Sequence, residues 1–194
     1  MTTKLTDYID YELDSLDEEW FVEFLIELSA QGLVMIQATV DTYKIFDGFS
    51  FMTKPRPKHY TPDFVFKFKC NDLRESMSKY LIESPDGLVY VDVKGSYTKR
   101  LTSSITFPDR QAMMWDKHSI YVNKVIPEKL FQKTFVPNSL VKSHVYLRDS
   151  KHGVKGQSKF KFKTINYVDF IESFRARRDS SSNRRKRSST HSRK

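Results

Sequence analysis

The 194-residue chain is 39% hydrophobic and 14% aromatic, which suffices for one substantial core with a tail but would make two full domains small. Its single cysteine, Cys70, excludes disulfides within the chain and cysteine-based zinc sites; as a lone thiol at the end of a strand-like run it reads as a packing residue. No run has the length of a membrane span and the N-terminal residues lack the pattern of a secretory signal, so an intracellular location, the cytoplasm of a cell, is expected, with no membrane partner.

The net charge of +9 is unevenly spread. Residues 175–194 carry nine Lys or Arg against Asp179, whereas residues 1–31 carry nine Asp or Glu against Lys4. A basic body thus lies between an acidic leading segment and a basic tail, a distribution that suits a polyanionic partner better than an acidic small molecule. The expected organisation is an N-terminal arm over 1–13, one domain over 14–174 and a disordered basic tail over 175–194.

In chain order, Asp14 to Gly32 reads as a helix. Asp14 or Ser15 serves as N-cap, acids fill the first turn, and Gly32 stands where a left-handed C′ residue belongs. Phe21, Phe24, Leu25 and Leu28 form its buried side, with Glu19, Glu23 and Glu27 opposite. Glu18 falls at the edge of the buried side, either as a capping side chain or as an acid directed at a site.

Residues 33–52 are β-rich and broken at Asp47-Gly48, predicting one or two strands with a turn there. The basic loop Lys54-Pro55-Arg56-Pro57-Lys58-His59 cannot be helical, because residues before proline favour extended geometry. It leads into a strand over Tyr60 to Lys69 that alternates Phe64, Phe66 and Phe68 with Val65, Lys67 and Lys69. A charged insertion follows, with a short helix around Leu73 to Ile82 and a turn at Pro85-Asp86-Gly87.

Leu88 to Lys94 is the second strand of interest. Successive residues point to opposite faces, so Asp92 and Lys94 share one face while Val91 and Val93 share the other. Beyond the polar connector holding Lys99 and Arg100, Phe107 to Trp115 opens as a helix with proline in its first turn, and Ile120 to Ile126 reads as a strand ended by Pro127. Strand, helix, strand in this rhythm indicates a parallel crossover and an α/β fold with a central mixed β-sheet flanked by helices. Phe131 to Pro137 reads as loop or edge, Val141 to Leu147 and Lys159 to Lys163 as strands, and Tyr167 to Arg178 as a last short helix.

Asp63 at the head of one apolar strand, and Asp92 with Lys94 inside the next, would form a compact site for a divalent cation. Hard cations such as Mg²⁺ take oxygen ligands and keep several waters, so two or three carboxylates suffice. Lysine cannot bind the metal, but it can hold or help deprotonate an attacking water, or neutralise charge building on a phosphate.

Pro62-Asp63, Asp92-x-Lys94 and a helix-borne acid upstream resemble the PD-(D/E)xK nuclease superfamily. Tyr60-Thr-Pro-Asp-Phe followed by Val-Asp-Val-Lys-Gly is, more narrowly, similar to small phage-type endonucleases and resolvases of branched DNA. The resemblance implies a restriction-endonuclease-like core and Mg²⁺- or Mn²⁺-dependent hydrolysis of DNA phosphodiesters, with branched or junction DNA as substrate in phage-type replication, recombination or packaging.

On this resemblance Asp63, Asp92 and Glu18 are metal ligands, with Glu19 the less favourable choice of helix acid, the main-chain carbonyl of Val93 adds a ligand, and Lys94 is the catalytic lysine. It allows a homodimer. The chain departs from the common pattern in carrying Asp92 where glutamate is more frequent, which shortens the reach to the metal by one methylene. Gln111 matches a place where such enzymes carry a further polar group, and also suits an ordinary surface position. Arg56, Lys58 and His59 before the first site strand and Lys99 and Arg100 after the second are candidate DNA contacts or, equally, a solvated basic surface, and Arg184, Arg185, Lys186 and Arg187 in the tail are candidate non-specific contacts or else a solubilising end, a localisation signal or an RNA-binding arm. The competing function is a nucleic-acid-binding or assembly protein that keeps the fold without chemistry.

Overall fold

The computed structural model describes residues 13–48, 56–95, 106–141 and 165–190, with side chains to 180. Helix α1, Leu16–Ala30, starts at Ser15, whose hydroxyl accepts from the Glu18 N–H. It stops at Gly32, which has φ +67°; Gly32 N donates to Ser29 O and Leu33 N to Leu28 O, the paired bonds that close a helix around a left-handed residue. Both ends are therefore set by local sequence.

The chain then lays down β1 (Val34–Ile36), β2 (Tyr43–Phe46), β3 (Lys58–Tyr60), β4 (Phe64–Phe68), α2 (Asn71–Met77) and β5 (Val89–Val93). It continues with α3 (Phe107–His118), β6 (Val122–Val125), α4 (Pro127–Lys133) and α5 (Tyr167–Thr190). The main sheet has the order β1-β4-β5-β6, with β4 antiparallel to β1 and β5, and β6 parallel to β5 across the α3 crossover. The α/β architecture with a mixed sheet and helices on both faces follows. Strands β2 and β3 pair separately.

Period-two alternation sorts the sheet's side chains into two cores. Phe64, Phe66, Phe68, Val89, Val91 and Val93 pack with α1, α2, α4 and the start of α5. Val65, Tyr90 and Val122 pack on the other face with Ile45, Tyr60, Phe107 and Met114, from the β2–β3 pair and α3. Every residue of β5 is buried, as expected of an inner strand covered on both faces. Phe21 stacks at 5.8 Å on Phe24 and tilts at 5.4 Å against Phe64, while Phe24 stacks at 4.6 Å on Phe135, so one aromatic chain ties α1 to the sheet and to the segment after α4.

Several expectations change. Tyr60 to Lys69 is not one strand: Lys58-His59-Tyr60 belongs to the β2–β3 sheet, and Thr61-Pro62 carries the chain across to β4. Lys58 and His59, expected in a loop, are therefore strand residues. The helix of the insertion begins at Asn71 and ends at Met77, earlier than expected. Pro127 ends β6 but also opens α4, which contains Phe131; its missing N–H falls where a helix leaves donors unpaired anyway. Helix α5 continues past Arg178 to Thr190, into the segment whose Ser- and Arg-rich composition predicts disorder; arginine is itself a good helix former. Val141 lies in a helical turn over 138–141, while the remainder of the strand expected to Leu147, and that over Lys159 to Lys163, fall outside the described residues.

Among the described residues, no helix is long and apolar enough to cross a membrane. Cys70 is half-buried against the α1-side core, as a packing residue. Truncating Phe24 to alanine leaves a cavity between α1 and Phe135 and is expected to destabilise the protein by about 3–5 kcal/mol, read as a lower urea midpoint at unchanged slope.

Candidate functional site

The β4–β5 register pairs Phe64 with Val91 and Val65 with Tyr90, and Asp63, one residue before β4, stays bonded to β5 on either side of Asp92, at Val91 and Val93. The charged insertion loops out as α2 and a turn with Gly87 at φ +76°, closed by Gly87 N to Ser84 O at 2.9 Å. The two acids thus meet across neighbouring strands. Asp63 N donates to Val91 O at 2.9 Å, and the Asp63 side chain then takes over the pairing, Oδ2 accepting from Val93 N at 2.6 Å.

Asp92 is buried, only 4% exposed. Its Oδ1 accepts from the Tyr60 hydroxyl at 2.8 Å. Its Oδ2 lies 2.6 Å from Lys94 Nζ, but off the direction of a hydrogen bond, so this buried oxygen has an ionic neighbour and no directed donor among the described residues. Lys94 Nζ also donates to the Val93 carbonyl at 3.1 Å, while Lys94 N is held by Val125 O at 2.7 Å. The ammonium therefore sits against two of the oxygens expected to face a cation.

Glu18 serves the cap. Its carboxylate accepts from the Ser15 hydroxyl at 3.0 Å and from Asp14 N at 2.9 Å, the reciprocal pattern of a Ser-x-x-Glu helix start. It is still near enough for its charge to act on Asp63. Among the described residues, no group of three His, Cys, Asp or Glu side chains stands together as a metal cluster. The donors that do converge are the two aspartates and the Val93 carbonyl. A hard divalent cation fits them through the buried Asp92 Oδ2, an anionic oxygen that lacks a directed donor.

Burial pushes the Asp63 carboxyl up from its ordinary 3.8 to about 7, and the Asp92 carboxylate adds to the rise; Lys94 and the Val93 N–H oppose it, and Glu18 raises it further. Burial, with the facing Asp92, also drives the Tyr60 phenol well above the usual range, so it stays protonated and donates. Tyr60 orients Asp92 from a different sheet, a role invisible in local sequence because 32 residues separate the partners.

The other expected residues separate by location. Arg56, Lys58 and His59 are exposed at the entry to β3. Lys99 and Arg100 lie outside the described residues, and Arg184, Arg185, Lys186 and Arg187 fall in α5 beyond its described side chains. Gln111 donates to the Val122 carbonyl of β6 and so has a structural role. The largest cavity described, about 970 Å³ beside α2 and Trp115, is not lined by Asp63, Asp92 or Lys94. Comparison of the chain with protein-family models, with curated proteins and with solved structures finds no match.

Two outcomes test this geometry. Folded protein keeps a proton on Asp63 that the unfolded chain releases near 3.8, so in metal-free protein stability falls as pH rises from about 4 to about 7; Asp63→Asn should flatten that part of a urea-midpoint-against-pH curve. Tyr60→Phe removes a hydrogen bond to a buried carboxylate and should cost about 1.5–3 kcal/mol by the same measurement.

Proposed function

We propose that the protein is a divalent-metal-dependent DNA endonuclease that hydrolyses phosphodiester bonds at Asp63, Asp92 and Lys94. The observation that carries this reading is the meeting of two aspartates on adjacent antiparallel strands with a lysine against one of them. A chain that needed only to fold gains little from a buried Asp92 beside a second, half-buried carboxyl, since an ionised carboxylate loses hydration there. The unequal spread of charge, with the basic side chains concentrated away from the acidic leading segment, supports an anionic polymer as substrate.

Asp63, Asp92 and the Val93 carbonyl would hold Mg²⁺ or Mn²⁺. When bound, such an ion lowers the pKa of a water and offsets charge on the phosphate. The residues of the chain do the remainder. Tyr60 holds Asp92 Oδ1 so that Oδ2 faces the site, and the Val93 N–H holds Asp63 Oδ2. Lys94, which lies against Asp92 Oδ2 and the Val93 carbonyl, would orient the attacking water, take part in its deprotonation and neutralise the phosphate. Branched or junction DNA is the substrate proposed on resemblance.

A second reading has its own support. Lys94 already neutralises Asp92 within the protein and Glu18 is engaged in capping, an arrangement a non-catalytic DNA-binding or assembly protein could retain.

Incubating linear, single-stranded, flap and four-way-junction DNA with Mg²⁺ or Mn²⁺ separates the two. Metal-dependent cleavage is expected, abolished in Asp92→Asn and reduced roughly 10²–10⁴-fold in Lys94→Ala. Binding without cleavage of any substrate in either metal would leave the second reading. Cleavage by Asp92→Asn at the wild-type rate would displace the site.

A further inference from the structure

A second concavity lies beside β3, the strand that ends in Tyr60. A cavity of about 290 Å³ opens between the β2–β3 pair and the first turns of α3, with Lys58, His59, Asp109 and Arg110 around Ile45 and Met113. Its volume is near the lower end for small-ligand sites, ~300 Å³.

Most of the arginines whose side chains are described are engaged within the fold. Arg74 pairs with Glu83, Arg175 and Arg178 pair with Asp72, and Arg177 donates to the Ser173 carbonyl. Among the described residues, the guanidinium of Arg110 has no such hydrogen bond or ion pair, and the Arg56 guanidinium is alike. The His59 ring also lacks a side-chain partner there, and the contact of Lys58 Nζ is the face of Phe46 at 6.0 Å.

Arg110 therefore presents an unpaired fork in a concavity, close enough for its charge to reach the Tyr60 phenol. A guanidinium in that setting matches the two oxygens of a phosphodiester. Asp109 is the opposing charge on the rim, and it also lies in the first turn of α3, where an acid complements the helix dipole. The first turn of α1, by contrast, brings Asp17, Glu18 and Glu19, and Glu18 acts on Asp63, charges that repel a polyanion.

We propose that this cavity is an anion subsite that takes a phosphodiester group of a nucleic-acid strand, flanking the phosphate at Asp63, Asp92 and Lys94, with Arg110 as its principal ligand and Lys58 and His59 beside it. The proposal rests on the nuclease reading and adds the path of the strand, across β3 and the N-terminal half of α3.

The test is binding of fluorescein-labelled single-stranded and duplex DNA to the full chain in EDTA, by anisotropy over a range of NaCl concentrations. Arg110→Gln should weaken binding and make the slope of log K against log salt shallower by about one, the loss of one phosphate contact, with an unchanged melting temperature. Arg110→Lys should keep the slope. In cleavage assays Arg110→Gln should raise KM with little change in kcat.

Wild-type slope and affinity in Arg110→Gln, with cleavage intact, would overturn the subsite and leave the nuclease reading standing. Equal losses in Arg110→Gln and Arg110→Lys with unaltered slope would assign Arg110 a purely structural role and overturn it too. No binding and no cleavage by the wild type would remove both proposals.

Discussion

The antiparallel register between β4 and β5 is the constraint on which the site depends. With Phe64 opposite Val91, the next step brings Asp63 and Asp92 together, and the Val93 N–H bonds the Asp63 side chain. Because side chains alternate with period two, a slip of one residue would turn Asp92 into the phenylalanine-rich core on the α1 side and expose the valines to the other. The register is therefore held by the two cores together. Phe64, Phe66 and Val91 fix one face against α1, and Val65 and Tyr90 fix the other against α3 and the β2–β3 pair.

Within that frame the electrostatics pull in opposite directions. Two carboxylates meet where hydration is poor, so one of them, Asp63, holds its proton to about pH 7, while the other is met by a hydroxyl and an ammonium. Such a pair is a weak source of stability, because the loss of hydration offsets much of the attraction. The pair lies at the strand ends. The first turn of α1 is acidic, whereas Lys58, His59 and Arg110 line a separate concavity beside β3 and α3.

Much of the fold was legible because it depends on short-range rules. The limits of α1 follow from Ser15 and Gly32, those of α3 from Pro108 in its first turn, and the parallel pairing of β5 with β6 from the strand–helix–strand rhythm. The insertion between the site strands loops out as the pairing of Asp63 with Asp92 requires. Other features were hidden. The run from Tyr60 onward gives no sign that Tyr60 belongs to a separate sheet, since aromatic residues stand on both sides of Thr61-Pro62-Asp63. Glu18 satisfies a capping pattern and an active-site pattern equally well in one dimension. Its bonds to Ser15 and Asp14 resolve the first role, while its charge still reaches Asp63.

Taken alone, then, the sequence determined the α/β alternation, both ends of α1, the start of α3 and the faces on which Asp92, Lys94 and the valines stand, because capping, proline geometry and period-two alternation act over a few residues. Only the tertiary structure decided which of those residues meet. The Tyr60–Asp92 bond, the position of Lys94 against Asp92 and Val93, and the grouping of Arg110 with Lys58 and His59 arise from packing between separate elements. The burial that raises Asp63 likewise exists only once two cores close over the sheet, a cooperative outcome that no local pattern encodes.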